Sequence, residues 1–360
     1  MQNSDPNNFK HVFVCGLPRS GTSVLGRNVA RLENCTGFKN TGVLEDEGQF
    51  LQNVYASDHE RGGAGSFGFH PDSHLTEASD LLTLQNAARL RNCWEPYWDA
   101  SKSIRVEKTP GNLLMTRFLQ VVFPNSYFVV LRRHPVAVSM ATQKWKDSVQ
   151  SLNRLFQHWL HCHDLFEEDK KHLKHVYELT YEDYIEDPHR YHQEIAAFIG
   201  TRVRQFAKED TFRRVVEWRN PAGRRVPENA MEETSVAHNQ KYFDRWCQLL
   251  THSVFRSYYR YLAEKYEPKF ANYGYSLVKG LAIGIDQARA NGTVSVVLGP
   301  LFCVGAGTGA LLRRLFARSK EWLRIKSKAV LPEFIIAGIR HARSRQSVRK
   351  RTGKIVSSQV

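Results

Sequence analysis

Short apolar runs alternate with amphipathic stretches along the first half of the chain. His11–Cys15, Ile104–Glu107, Ser126–Leu131 and Val176–Thr180 have the length and the β-branched or aromatic content of buried strands. A helix is predicted from about Ser23 to Leu32. Another starts at Pro135, whose fixed φ suits a first helical turn, and runs to about Trp145. Ser151–Asp169 repeats its apolar residues at helical spacing. Strands alternating with helices predict an α/β fold, a parallel sheet flanked by helices on both faces. The glycine-rich run Gly62–Gly68 predicts a flexible loop over a site.

Composition changes this picture mainly at the C-terminus. At 42 % hydrophobic and 24 % charged residues, the 360-residue chain has the balance of a globular protein with a sizeable core. A shift near Leu277 divides it into a predicted domain over 8–278 and a mostly helical, basic appendage over 279–360. The net charge is +15, but residues 313–360 hold 14 Lys and Arg against Glu321 and Glu333. That leaves only +3 for residues 1–312, so the basic pI predicts no nucleic-acid face on the main body. The six cysteines are scattered without a Cys-x-x-Cys pair, and the N-terminus MQNSDPNNFK lacks an apolar signal core. Both point to a reduced, cytoplasmic protein. Ala290–Leu312 is uncharged for 23 residues, yet five glycines and Pro300 make it weakly apolar. Beside the basic tail, it predicts attachment to an anionic membrane surface rather than a span.

The strongest local chemistry is Gly16-Leu17-Pro18-Arg19-Ser20-Gly21-Thr22-Ser23, between a predicted strand and a predicted helix. Glycines let a backbone wrap closely around an anion, whose oxygens meet successive N–H groups and the positive helix end. Thr22 and Ser23 add hydroxyls. The spacing approaches that of a phosphate loop for nucleoside triphosphates, but Thr22 stands where that loop needs lysine. ATP or GTP hydrolysis is therefore disfavoured, and Arg19 supplies the positive charge instead. A P-loop nucleotide or small-molecule kinase, the first alternative, would need the missing lysine and a magnesium ligand set. A non-catalytic membrane-surface adaptor, the second, would leave the loop without purpose.

Four blocks carry a family resemblance. PRSGTSVL after HVFVCGL resembles the 5′-phosphosulfate loop of sulfotransferases that use 3′-phosphoadenosine 5′-phosphosulfate (PAPS). Phe123–Met140 (FPNSYFVVLRRHPVAVSM) resembles their 3′-phosphate segment, a strand ending in Arg followed by a helix carrying Ser. Tyr181–Pro188 (YEDYIEDP) resembles the segment that closes their last core strand, and Lys108-Thr109-Pro110 stands where they often have Lys-x-Pro. The order of the blocks implies a P-loop-like sulfotransferase domain of the bacterial or tyrosyl-protein type over about 11–275.

The resemblance implies roles. Arg19, Ser20, Gly21, Thr22 and Ser23 would clamp the sulfuryl donor PAPS. Glu47 matches the family's base best, with Glu45 second. Lys108 would stabilise charge on the moving sulfuryl group and the leaving phosphate. Arg133, with Arg132 as competitor, would bind the 3′-phosphate. The family's Ser follows its Arg by eight positions, which is Ala141 here, so Ser139 and Thr142 are the available hydroxyls, and Ser139 is favoured. A sulfuryl group carries less charge than a phosphoryl group, so no metal is demanded. The acceptor would be a hydroxyl on a carbohydrate, lipid, phenol or peptide. Gln49 falls where tyrosyl-protein sulfotransferases carry an arginine, which weakens a protein-tyrosine assignment.

Other features read more plainly. His158, His161 and His163 lie on an amphipathic helix with no completing ligand set, and Trp94, Tyr97 and Trp98 read as core. Cys303–Phe316 (CVGAGTGALLRRLF) resembles the first glycine-rich motif of S-adenosylmethionine-dependent methyltransferases. Only 51 residues follow Gly309, so this would be a degenerate fragment.

Overall fold

The computed structural model describes residues 9–144, 151–204 and 237–278. The predicted appendage over 279–360, with its membrane-surface and methyltransferase-like segments, lies outside the described residues.

Strand β1 (Lys10–Gly16) occupies the middle of the sheet. Its alternation sends Phe13 and Cys15 into one apolar cluster and Val12 and Val14 into another. The remaining strands are β2 (Cys35–Gly37), β3 (Ile104–Lys108), β4 (Ser126–Arg132) and β5 (Val176–Thr180). The order is β2-β3-β1-β4-β5 and every pairing is parallel. Parallel neighbours cannot be joined by a tight turn, so the chain returns through helices that bury both faces.

In chain order these helices are α1 (Thr22–Val29), α2 (Leu84–Trp94), α3 (Thr116–Val122), α4 (Pro135–Lys144), α5 (Leu152–Asp169), α6 (Tyr181–Glu186), α7 (Pro188–Ile199), α8 (Ala237–Thr251) and α9 (Arg256–Ala271). α1, α6 and α7 cover the Val12/Val14 face; the other six contribute to the larger cluster around Phe13 and Phe128. Local signals set the starts. Ser151 Oγ accepts the Arg154 amide ahead of α5, and Thr180 and Asp187 cap α6 and α7 in the same way. No described helix is long and apolar enough to cross a membrane.

The expected α/β architecture is the one observed. β2, at three residues, is too short to show a period in sequence. Only the C-terminal end of the Gly62–Gly68 segment, expected to be a flexible loop over a site, packs on α5, while Gly62 is exposed. Phe67 is buried, and the Gly68 amide donates to His158 Nε2 at 3.1 Å. A Cβ on Gly68 would collide with Cys162 Sγ, so this glycine serves close approach rather than motion. Burial lowers the pKa of His158 to about 3, so the ring stays neutral and can accept that bond. Downstream, His74 Nε2 meets the buried Asp169 carboxylate at 2.8 Å, and the Leu75 amide donates to Leu114 O at 2.9 Å.

Trp94 and Trp98 belong to the core. Trp94 stacks on Phe123 at a 6° interplanar angle, and its Nε1 donates to Gly48 O at 2.9 Å. A Cβ on Gly48 would lie 2.7 Å from Glu107 Oε1 and 2.9 Å from the Trp94 ring. Neither neighbour has room to retreat. Gly48→Ala is therefore expected to lower the unfolding free energy by about 1–3 kcal/mol, measured by urea denaturation. An unchanged midpoint would show slack at this contact.

Candidate active site

The loop after β1 is shaped by close approach. Gly16 pairs in register with Leu131, and a Cβ on it would lie 2.5 Å from Leu131 O. The chain then turns through left-handed conformations at Arg19 (φ 75°) and Gly21 (φ 99°), closed by Ser20 N donating to Leu17 O at 3.1 Å. α1 begins at Thr22 with no side-chain cap and no acid in its first turn. Its first amides lack intrahelical partners and lie at the positive end of the helix dipole, which suits an anion. Ser20 is fully buried, yet its Oγ has no partner among the described residues. Burial pulls the pKa of the Arg19 guanidinium below its ordinary value, while Glu45 and, less strongly, Glu47 oppose that pull.

Arg133 reaches this loop from the end of the neighbouring strand, and Ser139 lies on the helix that follows. Arg133 follows β4 directly. Its Nη1 donates to Arg19 O at 2.7 Å, and its guanidinium lies 4.1 Å from the Tyr181 ring centroid. Arg132 points elsewhere, to Glu167 and Glu178 at 2.7 and 3.0 Å. On α4, Thr142 Oγ1 donates to Val138 O at 2.8 Å, whereas the buried Ser139 Oγ has no partner among the described residues. At the loop itself the buried Ser20 hydroxyl and the buried Arg133 guanidinium come together, a pair that fits phosphate oxygens.

Beside the loop lies a carboxylate cluster. Lys108 ends β3, in register with Val14 of β1. Its stem runs across Gly26 of α1, where a Cβ would lie 2.7 Å from Lys108 Cβ. Lys108 Nζ donates to Glu47 Oε1 at 2.7 Å, and Gln49 Nε2 donates to Glu47 Oε2 at 2.6 Å. Glu47 is extended between two 3-10 turns, Leu44–Asp46 and Gly48–Phe50, and is 7 % exposed. Glu45, half-buried at φ 53°, lies outside this contact. Asp46 closes its own turn, accepting from the Thr41 amide and hydroxyl at 2.8 and 2.6 Å.

Two further buried acids were not singled out in the sequence. Glu107 on β3 accepts from Gly48 N at 2.9 Å and Thr109 Oγ1 at 2.6 Å, with Asn112 Nδ2 on its other oxygen. Asp58 packs against Gly111 and feels the charges of Glu47 and Arg61. Burial pushes the pKa of each up to about 7. A charged residue inside an apolar strand run was the one sequence signal for Glu107. Asp58 carried none.

Most of the candidate residues gather in two groups: Arg19–Ser23 with Arg133, and the Glu47–Lys108 ion pair, whose carboxylate acts on Arg19. Both lie at the carboxyl ends of β1, β3 and β4, where open parallel sheets bind ligands. The α5 histidines pack rather than gather: His163 is fully buried against Trp159, with ring centroids 4.0 Å apart. Among the described residues no group of His, Cys, Asp and Glu is arranged to hold a metal ion. A groove of about 760 Å³ lined by α5 and α9 contains none of these site residues.

A family model described as "Sulfotransferase family" matches residues 11–205. The chain belongs to the sulfotransferase family, a family of transferases. No curated protein matches it. Solved structures that resemble it include a sulfotransferase from Mycobacterium avium, at 13 % identity and TM-score 0.39, covering 77 % of this chain and 78 % of that one. The sulfotransferase domain of a Synechococcus olefin synthase covers 56 % of this chain and 78 % of its own, at 15 % identity and TM-score 0.38. The sulfotransferase domain of the curacin biosynthetic pathway covers 71 % and 97 %, also at 15 % and 0.38. At these scores the structural likeness adds no weight to the family match.

The two raised carboxyl groups make stability depend on pH. A folded-state pKa of about 7 against an ordinary 4.5 means that native Glu107 holds its proton where the unfolded chain has lost it. Its contribution is fully present below about pH 4.5 and is lost as pH rises through about 7. In Glu107→Gln the amide can replace the protonated acid, with Asn112 turning its carbonyl inward. Urea denaturation from pH 4.5 to 7.5 should then show a flatter pH dependence than in the wild type. Parallel profiles would contradict the buried neutral acid.

Proposed function

We propose that the protein is a PAPS-dependent sulfotransferase that moves a sulfuryl group to an acceptor hydroxyl by in-line displacement. One observation carries the reading: an ion-paired Glu47 acts on Arg19 of a loop whose buried Ser20 hydroxyl has no partner among the described residues. Bound at that loop, PAPS supplies a sulfuryl group joined to its 5′-phosphate through an anhydride oxygen. Arg19, Ser20 and the amides and hydroxyls at Gly21, Thr22 and Ser23 hold the 5′ end. Arg133 and Ser139 hold the 3′-phosphate, which distinguishes this donor from ATP.

Glu47 takes the proton of the acceptor hydroxyl as its oxygen bonds to sulfur. Lys108 meets the negative charge gathering on the leaving oxygen. Glu45 stands at the mouth as a second carboxylate acting on Arg19. The acceptor is a hydroxyl-bearing carbohydrate, lipid, phenol or peptide. No step calls for a metal.

Calorimetry with 3′-phosphoadenosine 5′-phosphate (PAP) and with ATP tests the donor. PAP should bind much more tightly, and Ser139→Ala should weaken it by about 10- to 100-fold, the range for one hydrogen bond to a charged group. Thr142→Val should leave it unchanged. Preference for magnesium–ATP would move the protein to the kinase reading.

Incubation with labelled PAPS and a panel of 2-naphthol, a tyrosine peptide, an oligosaccharide and a long-chain alcohol tests the transfer. Glu47→Gln should keep PAP affinity and lower turnover by roughly 10²-fold or more. Wild-type turnover in Glu47→Gln would move the base to Glu45 or remove it.

A further inference from the structure

The segment that carries Glu47 also carries a glutamine whose amide is fixed at both ends. Gln49 is 5 % exposed. Its Nε2 donates to Glu47 Oε2 at 2.6 Å, and its Oε1 accepts the Asp58 backbone amide at 2.7 Å. The second bond settles the first. A backbone N–H can only donate, so the carbonyl end of the side chain faces Asp58 and the NH2 end must face the carboxylate. The Gln49 backbone amide in turn donates to Thr109 Oγ1 at 3.5 Å, next to Lys108 in the chain. Lys108 therefore holds one oxygen of Glu47 and Gln49 the other.

We propose that Gln49 is the positioning residue of the base: it aims the Glu47 carboxylate and sets how readily that carboxylate takes a proton. The assignment rests on the reading of Glu47 as the base. Two donors of different kinds suit the task. A cation at both oxygens would hold the carboxylate firmly but blunt its basicity, because charge-assisted bonds favour the ionised form strongly. A neutral amide fixes orientation at lower cost to basicity. Lys108 must also serve the leaving group, whereas the Gln49 NH2, anchored by its carbonyl on the Asp58 amide, is turned to Glu47 and keeps it in place as charge moves.

Gln49→Met keeps the length of the side chain and removes its donor. Turnover should fall by about 10- to 100-fold, as for a slightly misplaced base. The KM for PAPS should stay within about 2-fold, because the Arg19–Ser23 loop is untouched. Loss of a donor to a charged group should move the acid limb of the pH–turnover profile upward. Gln49→Glu preserves shape and puts a like charge at the same point, so its acid limb should also rise. It serves as the second variant if Gln49→Met fails to fold, as judged by PAP calorimetry.

The decisive comparison uses Glu47→Gln as background, with transfer to the best acceptor of the panel. There Gln49→Met should cost nothing further, because its effect runs through Glu47. An equal penalty in both backgrounds, or an unmoved acid limb with turnover within about 2-fold, would overturn the positioning role. Wild-type turnover in Glu47→Gln alone would instead overturn the base reading, and the Gln49 assignment with it.

Discussion

The contact between Lys108 Nζ and Glu47 Oε1, 2.7 Å long and almost closed to solvent, ties the loop after β2 to the end of β3. Neither partner can be removed alone at low cost. A lone charge left at such depth typically destabilises a protein by about 3–5 kcal/mol. The surrounding structure is arranged to hold this pair. Gly26 clears a path for the lysine stem, Trp94 and Glu107 grip Gly48 beside the glutamate, and Gln49 occupies the second carboxylate oxygen. Burial raises the pKa of Glu107 and Asp58 to about 7, so below that pH they add little negative charge beside the lysine.

Across the tip of β1 the charge changes sign. The loop from Gly16 to Ser23 and the incoming Arg133 make a cradle for an anion, closed below by Tyr181. Carboxylate and cradle come from different crossovers of one parallel sheet, and only the register of β1 with β3 and β4 brings them together. An acceptor would meet a base on one side and an electrophile held by cations on the other. That is the arrangement an in-line displacement requires.

Much of this was legible in the sequence, and the remainder was hidden for physical reasons. Val176–Thr180 has the bounds predicted, and the other three predicted strands differ by one or two residues at their ends. The phosphate loop was visible because glycine spacing, strand and helix coincide within a dozen residues. The resemblance already favoured Arg133 over Arg132 and Ser139 over Thr142; in the structure Arg133 meets the loop, Arg132 pairs with Glu167 and Glu178, and Thr142 bonds its own helix. Gly68 misled because glycine serves mobility and close packing alike. Gln49 stood out only by its place in the motif, its role lying in a bond to Glu47 two residues away, while Asp58 and Glu107 matter through partners up to 59 residues away that leave no local period or motif.

The most direct test is a crystal structure of the complex with PAP. The account places the 5′-phosphate against the amides of Gly21, Thr22 and Ser23 and the Ser20 hydroxyl. It places the 3′-phosphate within hydrogen-bonding distance of Arg133 and Ser139, with the Glu47 carboxylate facing the open side of the 5′-phosphate. A nucleotide bound elsewhere, or a 3′-phosphate held by Arg132 and Thr142 with Glu47 turned away, would contradict it.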